Sequence, residues 1–223
     1  MPPGAGTSRG VQVPLPCRRW HNAFMNHRFQ CRCGTLQGEI SHPERAMRAV
    51  CYCGDCQAYA HLLGEPQRVL DPQGGTDVVA THARYVMFTS DTQALACLSL
   101  SPRGLLRWYA RCCGTPIANT PRNWKLPYVG LVHTCLRQPE PLERSFPEVQ
   151  VRVNRKGAKG RVPRAGHLGG MARFGGLALR LVASRLGGGY DKTPFFDRNG
   201  VPVAEAVVAP RADVEAARRA ARA

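Results

Sequence analysis

The stretch Cys51-Tyr52-Cys53-Gly54-Asp55-Cys56 packs three thiols into six positions. Thiols that close together form disulfides, carry redox chemistry or grip a metal. Residues two apart on an extended strand point the same way, so Cys51 and Cys53 share a face. Gly54-Asp55 then supplies a tight turn that swings Cys56 back toward them. "CRCG" repeats the two-apart geometry with Cys31 and Cys33, and "ARCCGTP" adds the adjacent pair Cys112 and Cys113. One such pair is a weak signal. Three clusters in this order, at strand-like intervals, predict tetrahedral thiolate sites. Zinc suits them best, being borderline-soft, redox-silent and four-coordinate, with Zn–S near about 2.3 Å. One ion held by the 51–56 cluster requires its sulfurs to lie within about 4 Å of one another.

Composition narrows the choice among the three chemistries. Met1 to Gln30 holds four arginines and no continuous apolar stretch, so no secretory leader is expected. The ten cysteines are then expected in a reducing cytoplasm, where clustered thiols mean metal or redox work and persistent disulfides are rare. No run of about twenty apolar residues is present, so no membrane span is expected. The net charge of +16 is unevenly spread: residues 31–150 hold 12 basic and 10 acidic side chains, and residues 151–223 hold 15 and 5. The cysteine-rich middle is thus nearly neutral. The excess reads as a solvated, arginine-rich tail in preference to a phosphate-binding surface, which disfavours nucleic acid as a partner.

The elements that must position these thiols are short. Between residues 25 and 148, β-favouring runs such as "RAVC", "DVVA", "RYVMFT", "LLRWYA" and "YVGLV" alternate with Gly, Pro and Asp breakers, predicting a mainly β domain. Residues 1–24 lack periodicity and read as a disordered extension, with Met25 as the natural start of the compact part. Residues 149–166 read as a basic linker. Residues 167–210 read as a C-terminal helix and an extended arm. Met171, Phe174, Leu177 and Leu181 fall at helical spacing to dock the helix, and Phe195 and Phe196 cover apolar surface from the arm. Residues 211–223 lack an apolar face and read as a disordered or frayed helical tail.

The order of these motifs resembles the glutathione-dependent formaldehyde-activating enzyme family, which includes the centromere protein V branch. The resemblance spans roughly residues 27–136 and rests on Cys31-Arg32-Cys33-Gly34, on Cys51-Tyr52-Cys53-Gly54-Asp55-Cys56, and on Arg107 to Pro116. It implies a zinc-bearing, Mss4-like β fold (a β-tent). It also implies a structural zinc held by the Cys31/Cys33 pair and the later cysteines. A second zinc on Cys51, Cys53 and Cys56 would keep a coordination position open for a substrate or its thiol adduct. Glutathione or another thiol is the implied cofactor.

The chain departs from that family at named positions. Ala110 stands where the first cysteine of the later pair belongs, and Cys113 keeps the second. Cys112, His133, Cys135 or Cys97 could supply the missing ligand, or the cysteines could pack as small buried hydrophobes without metal. Tyr52 and Gln57 replace the family's His and Arg beside the 51–56 cysteines, and Gly130-Leu131-Val132-His133 lacks the expected acid.

Two function classes follow. In the first, the chain is a carbon–sulfur lyase acting on a small thiol adduct at Cys51/Cys53/Cys56, with Tyr52, Asp55 or His61 as supporting donors. In the second, zinc only holds a non-catalytic β module whose basic C-terminal region contacts a protein or nucleic acid. What separates them is whether the 51–56 site opens onto a cleft or is closed by a fourth protein ligand.

Overall fold

The computed structural model describes residues 26–137, 139–146, 148–163 and 167–223 and is mainly β. The extension expected over 1–24 and the start at Met25 lie outside the described residues. The first half of the chain runs β1 (His27–Gln30), β2 (Gln37–Ile40), β3 (Met47–Cys51), α1 (Gly54–Leu62), α2 (Pro66–Val69), β4 (Thr76–His82), β5 (Val86–Phe88) and β6 (Leu95–Ser99). The second half runs β7 (Leu106–Ala110), β8 (Pro116–Thr120), β9 (Tyr128–Val132), α3 (His133–Leu136), β10 (Val151–Val153), α4 (His167–Leu186), β11 (Ala206–Val208) and α5 (Arg211–Arg222).

Eight strands form one mixed sheet in the order β10-β3-β4-β9-β8-β7-β6-β11. Its outermost pairs, β10 on β3 and β11 on β6, are parallel, and the inner pairs are antiparallel. β1, β2 and β5 make a second, antiparallel sheet. Strand alternation sorts the side chains of the large sheet between two cores. Val79, Leu131, Ala118 and Trp108 enter the main core with Phe29 and Phe195. Met47, Ala49, Val78, Ala80 and Val132 face the other way, onto Leu177 and Leu181 of α4. A strand covered on both faces loses its polar alternation, and β4 is apolar at Val78, Val79 and Ala80 in succession for that reason.

α4 docks as its periodicity predicts at Leu177 and Leu181. Phe174, expected beside them, is instead 54% exposed, and the side chain of Met171 lies outside the described residues. The helix approaches the chain leading into β10 very closely: a Cβ on Gly170 would sit 2.2 Å from the Gln150 carbonyl oxygen. The arm that follows α4 buries Phe195 completely, its ring 5.1 Å from that of Trp108. No helix among the described residues is long and apolar enough to cross a membrane.

Two sequence expectations give way here. Residues 149–166 are more than a linker, because Val151–Val153 adds a strand to the sheet edge and Val162 packs on Val50 and Tyr52. Gly157 fits against this edge only as glycine, since a Cβ there would lie 2.2 Å from the Tyr52 carbonyl oxygen. Residues 211–223 are not a frayed tail. Val214, Ala217 and Ala221 form a narrow buried stripe, Val214 and Ala217 packing with Ala58 of α1, and Arg218 pairs with Asp55 at 2.7 Å. Alanine makes a poor apolar signal in sequence, but its small side chain lets two helices meet closely.

Candidate metal centres

Cys31, Cys33, Cys112 and Cys113 meet although 78 residues separate Cys33 from Cys112 in the chain. Their sulfurs lie 3.5 Å apart for 31–33, 3.8 Å for 31–112, 3.2 Å for 33–112 and 3.9 Å for 112–113. A tetrahedral ion with 2.3 Å bonds spaces its sulfur ligands by about 3.8 Å, so four thiols here are arranged as one ion would need. Ala110 is buried in the main core, and it is Cys112 that joins Cys31, Cys33 and Cys113 in the cluster. A turn makes this possible. The amides of Cys113 and Gly114 both donate to the Ala110 carbonyl, at 3.3 and 2.8 Å, and Gly114 adopts a positive φ of 71°. The curl brings two adjacent cysteines to one point. The Thr35 hydroxyl and backbone hold the Cys33 thiol down at about 6, whereas burial pushes Cys112 up to about 12.

The other ligands considered for this cluster lie elsewhere. Cys97 and Cys135 are core residues whose thiols are pushed up by burial. His133 is buried on α3, its Nδ1 3.1 Å from the Asp77 carbonyl oxygen.

The second group is Cys51, Cys53 and Cys56, whose sulfurs all lie within 4.8 Å of one another. Strand parity places Cys51 on the face of β3 that carries Met47 and Ala49, beneath α4. A helix rather than a tight turn returns Cys56 to its neighbours. Cys53 is the N-cap of α1, and its sulfur accepts the Cys56 amide at 3.4 Å. The positive end of the helix lies beside the cluster, where it offsets negative charge on the sulfurs. Hydrogen bonds from Cys53 and Cys56 hold the Cys51 thiol down to about 2, and the contacts with Cys51 push Cys53 and Cys56 up.

Several side chains that sequence reasoning did not single out complete this site. Asn154 donates its side-chain amide to the Cys51 sulfur at 3.3 Å. Arg107 places a guanidinium nitrogen 3.9 Å from the Cys56 sulfur, while donating to Asn119 at 3.1 Å and lying 5.1 Å over the Tyr59 ring. Tyr128 has its hydroxyl pushed up to about 12, by burial first and then by the charges on Cys56 and Cys51. The signal for three of them was strand parity. Arg107, Asn119 and Tyr128 fall on the same sheet face as Cys51, with Arg107 directly opposite Asn119. Asn154 follows Val153, the register partner of Cys51.

The proposed supporting donors fare differently. Tyr52 is fully buried on the opposite side of β3, donating to Asp71 at 3.1 Å and accepting from Arg152 at 2.8 Å. Asp55 borders the site but is ion-paired with Arg218. His61 lies more than a turn beyond Cys56 along α1.

The three thiols open onto a cavity of about 480 Å³ between the sheet and α4, lined by Cys51, Cys53 and Cys56 together with Arg107, Asn119 and Phe174. Among the described residues, the group able to hold a metal there stops at three ligands, against four in the Cys31 cluster.

Residues 26–207 match a protein family described as of unknown function, DUF6151. The chain belongs to that family. The DUF6151 span takes in both cysteine groups, Asn154 and α4, and ends within β11, before α5. The chain is also similar, at 16% identity and a TM-score of 0.37, to a Rhodobacter sphaeroides protein whose crystal structure came from structural genomics. That likeness covers 56% of this chain and 99% of the other. No curated protein matches the sequence.

Proposed function

We propose that the chain binds zinc at both cysteine groups, and that the Cys51/Cys53/Cys56 site acts on a small thiol adduct as a carbon–sulfur lyase. The difference between three ligands and four is what supports this reading. The Cys31 group has a full tetrahedral set and suits a structural ion, whereas the Cys51 group has one ligand fewer and faces a cavity. The chemistry agrees with the enzymes of the glutathione-dependent formaldehyde-activating family, which the motif order resembles.

The reaction class adds a thiol S–H across an aldehyde C=O, or reverses that addition. A C–S bond forms, the thiol proton passes to the carbonyl oxygen, and nothing is oxidised. A zinc ion would supply Lewis acidity and lower the pKa of a coordinated thiol. The chain's own residues prepare the site for that role. Asn154 orients the Cys51 sulfur, the α1 N-terminus and Arg107 offset the negative charge of the cluster, and Tyr128 stays protonated near neutrality as a donor facing the cavity. α4 and the sheet shield the thiols from bulk water on one side.

Metal analysis of the purified protein tests the first half: two zinc ions per chain are expected, falling to one in Cys53→Ser. Cobalt substitution tests the second. Adding small thiols should shift the absorption of the cobalt held by Cys51, Cys53 and Cys56. A spectrum indifferent to every thiol would mean a closed, structural site.

A further inference from the structure

We infer that the ligand of the Cys51 site carries an extended apolar group, alkyl or aryl, which lies along α4 while its sulfur meets the three cysteines. This rests on the thiol-adduct reading and names the class of thiol that reading leaves open.

The cavity walls carry the inference. Beyond the cysteines, the lining is dominated by aliphatic and aromatic side chains, among them Met47, Val78, Leu105, Leu126, Phe174 and Leu181. Three of these are large apolar residues left exposed, with Phe174 at 54%, Leu105 at 43% and Leu126 at 37%. They come from α4, from the residue before β7 and from the loop before β9, so three separate segments converge on one mouth. Scattered exposed apolar residues need no explanation, but a set gathered around one concave site marks a surface built to be covered. The volume, about 480 Å³, falls in the range of small-molecule sites.

Charge points the same way. Glutathione carries two carboxylates and an ammonium, and a site for it must offer partners for them. Among the described residues the one cation lining this cavity is Arg107, 3% exposed and engaged by Asn119 and the Tyr59 ring. The one carboxylate, Asp55, is held by Arg218. Carboxylates brought between these walls would be desolvated with no free cation among the described lining residues to pair with, which is costly, whereas an alkyl or aryl group would gain by being covered.

The test uses full-length protein loaded with cobalt and titrated with hexanethiol, 2-mercaptoethanol, glutathione and, as a sulfur-free control, hexanol. Hexanethiol should shift the cobalt spectrum with an affinity at least about tenfold tighter than either polar thiol, and hexanol should leave it unchanged. Phe174→Ser should leave cobalt content unchanged and weaken hexanethiol by about fivefold, a larger loss than for 2-mercaptoethanol. Glutathione or 2-mercaptoethanol binding as tightly as hexanethiol would overturn the apolar class while leaving the open thiol site standing. An unchanged affinity in Phe174→Ser would do the same. A spectrum that no thiol moves would overturn both.

Discussion

Asn154 donates its side-chain amide to the sulfur of Cys51 across 3.3 Å, from a backbone position with φ of 55°. The left-handed conformation aims the amide. β10 brings Val153 opposite Cys51, and the turn that begins at Asn154 points its side chain back over the strand end. Asparagine is among the few residues that adopt this conformation at small cost.

Replacing Asn154 therefore separates backbone from hydrogen bond. Asn154→Gly keeps the conformation and removes the donor, so melting behaviour should barely change. Metal affinity at the Cys51 group should fall by about tenfold, as for other residues that orient metal ligands. Competition with a chromogenic chelator measures this, and equal affinities would show that the contact does not tune the site.

The four-thiol cluster makes its own prediction about stoichiometry. Cys112→Ser and Cys33→Ser should each lose one zinc per chain, because each removes one of the four clustered sulfurs. Cys97→Ser and Cys135→Ser should keep both ions at the cost of some stability, since these thiols belong to the core. A full metal count in Cys112→Ser would mean that Cys113 alone closes the site.

How far the sequence was legible follows from what kind of signal each residue leaves. Clustered cysteines announce themselves, because thiols at such spacing are rare by chance and their chemistry is narrow. The mainly β core was readable from its short β-branched and aromatic runs. The arrangement of Cys112 was not, because it depends on a turn closed by two hydrogen bonds to the Ala110 carbonyl. Asn154 sat in a segment whose charge masked a three-residue strand, and Arg107 and Tyr128 join the site only once the strand order is known. Phe174 shows the converse failure. Periodicity put it in the apolar stripe of α4, but the sheet beneath opens into the cavity at its level, so the ring stays uncovered.

Acid should loosen α4. His82 lies at the end of β4, its Nδ1 accepting from the Arg84 amide at 3.1 Å, which leaves the Nε2 proton for the Ser184 hydroxyl of α4 at 2.7 Å. Burial first, and then Arg84, push its pKa down from 6.5 to about 4, and Arg45 and Arg180 line the same hollow. The unfolded chain takes up this proton near pH 6.5 and the folded chain only near pH 4. The contribution of neutral His82 is therefore complete above pH 6.5 and is lost progressively as pH falls toward 4. The melting temperature should drop over that window, and the drop should be smaller in His82→Gln. Identical pH profiles would assign the acid sensitivity to other groups.

The last prediction links the C-terminal helix to the metal site. α5 lies against α1, the helix that Cys53 caps and that presents Cys56 from its first turn. Val214 and Ala217 bury against Ala58 and Leu100, and Arg218 holds Asp55 at the rim of the cavity. A chain ending at Pro210 would expose this face of α1 and release Asp55. Loss of one buried valine and its alanine neighbours is worth about 2–4 kcal/mol, enough to lower the melting temperature by several degrees. Because α1 carries two of the three ligands, the Cys51 group should lose metal to a chelator faster in this variant, while the Cys31 cluster, built from β-turn segments, should release its ion at the wild-type rate. Val214→Asp is the point-mutant version and should reproduce both effects more mildly. Equal acceleration at the two sites would instead indicate a global loss of stability, with α5 playing no particular part in holding α1 and its thiols.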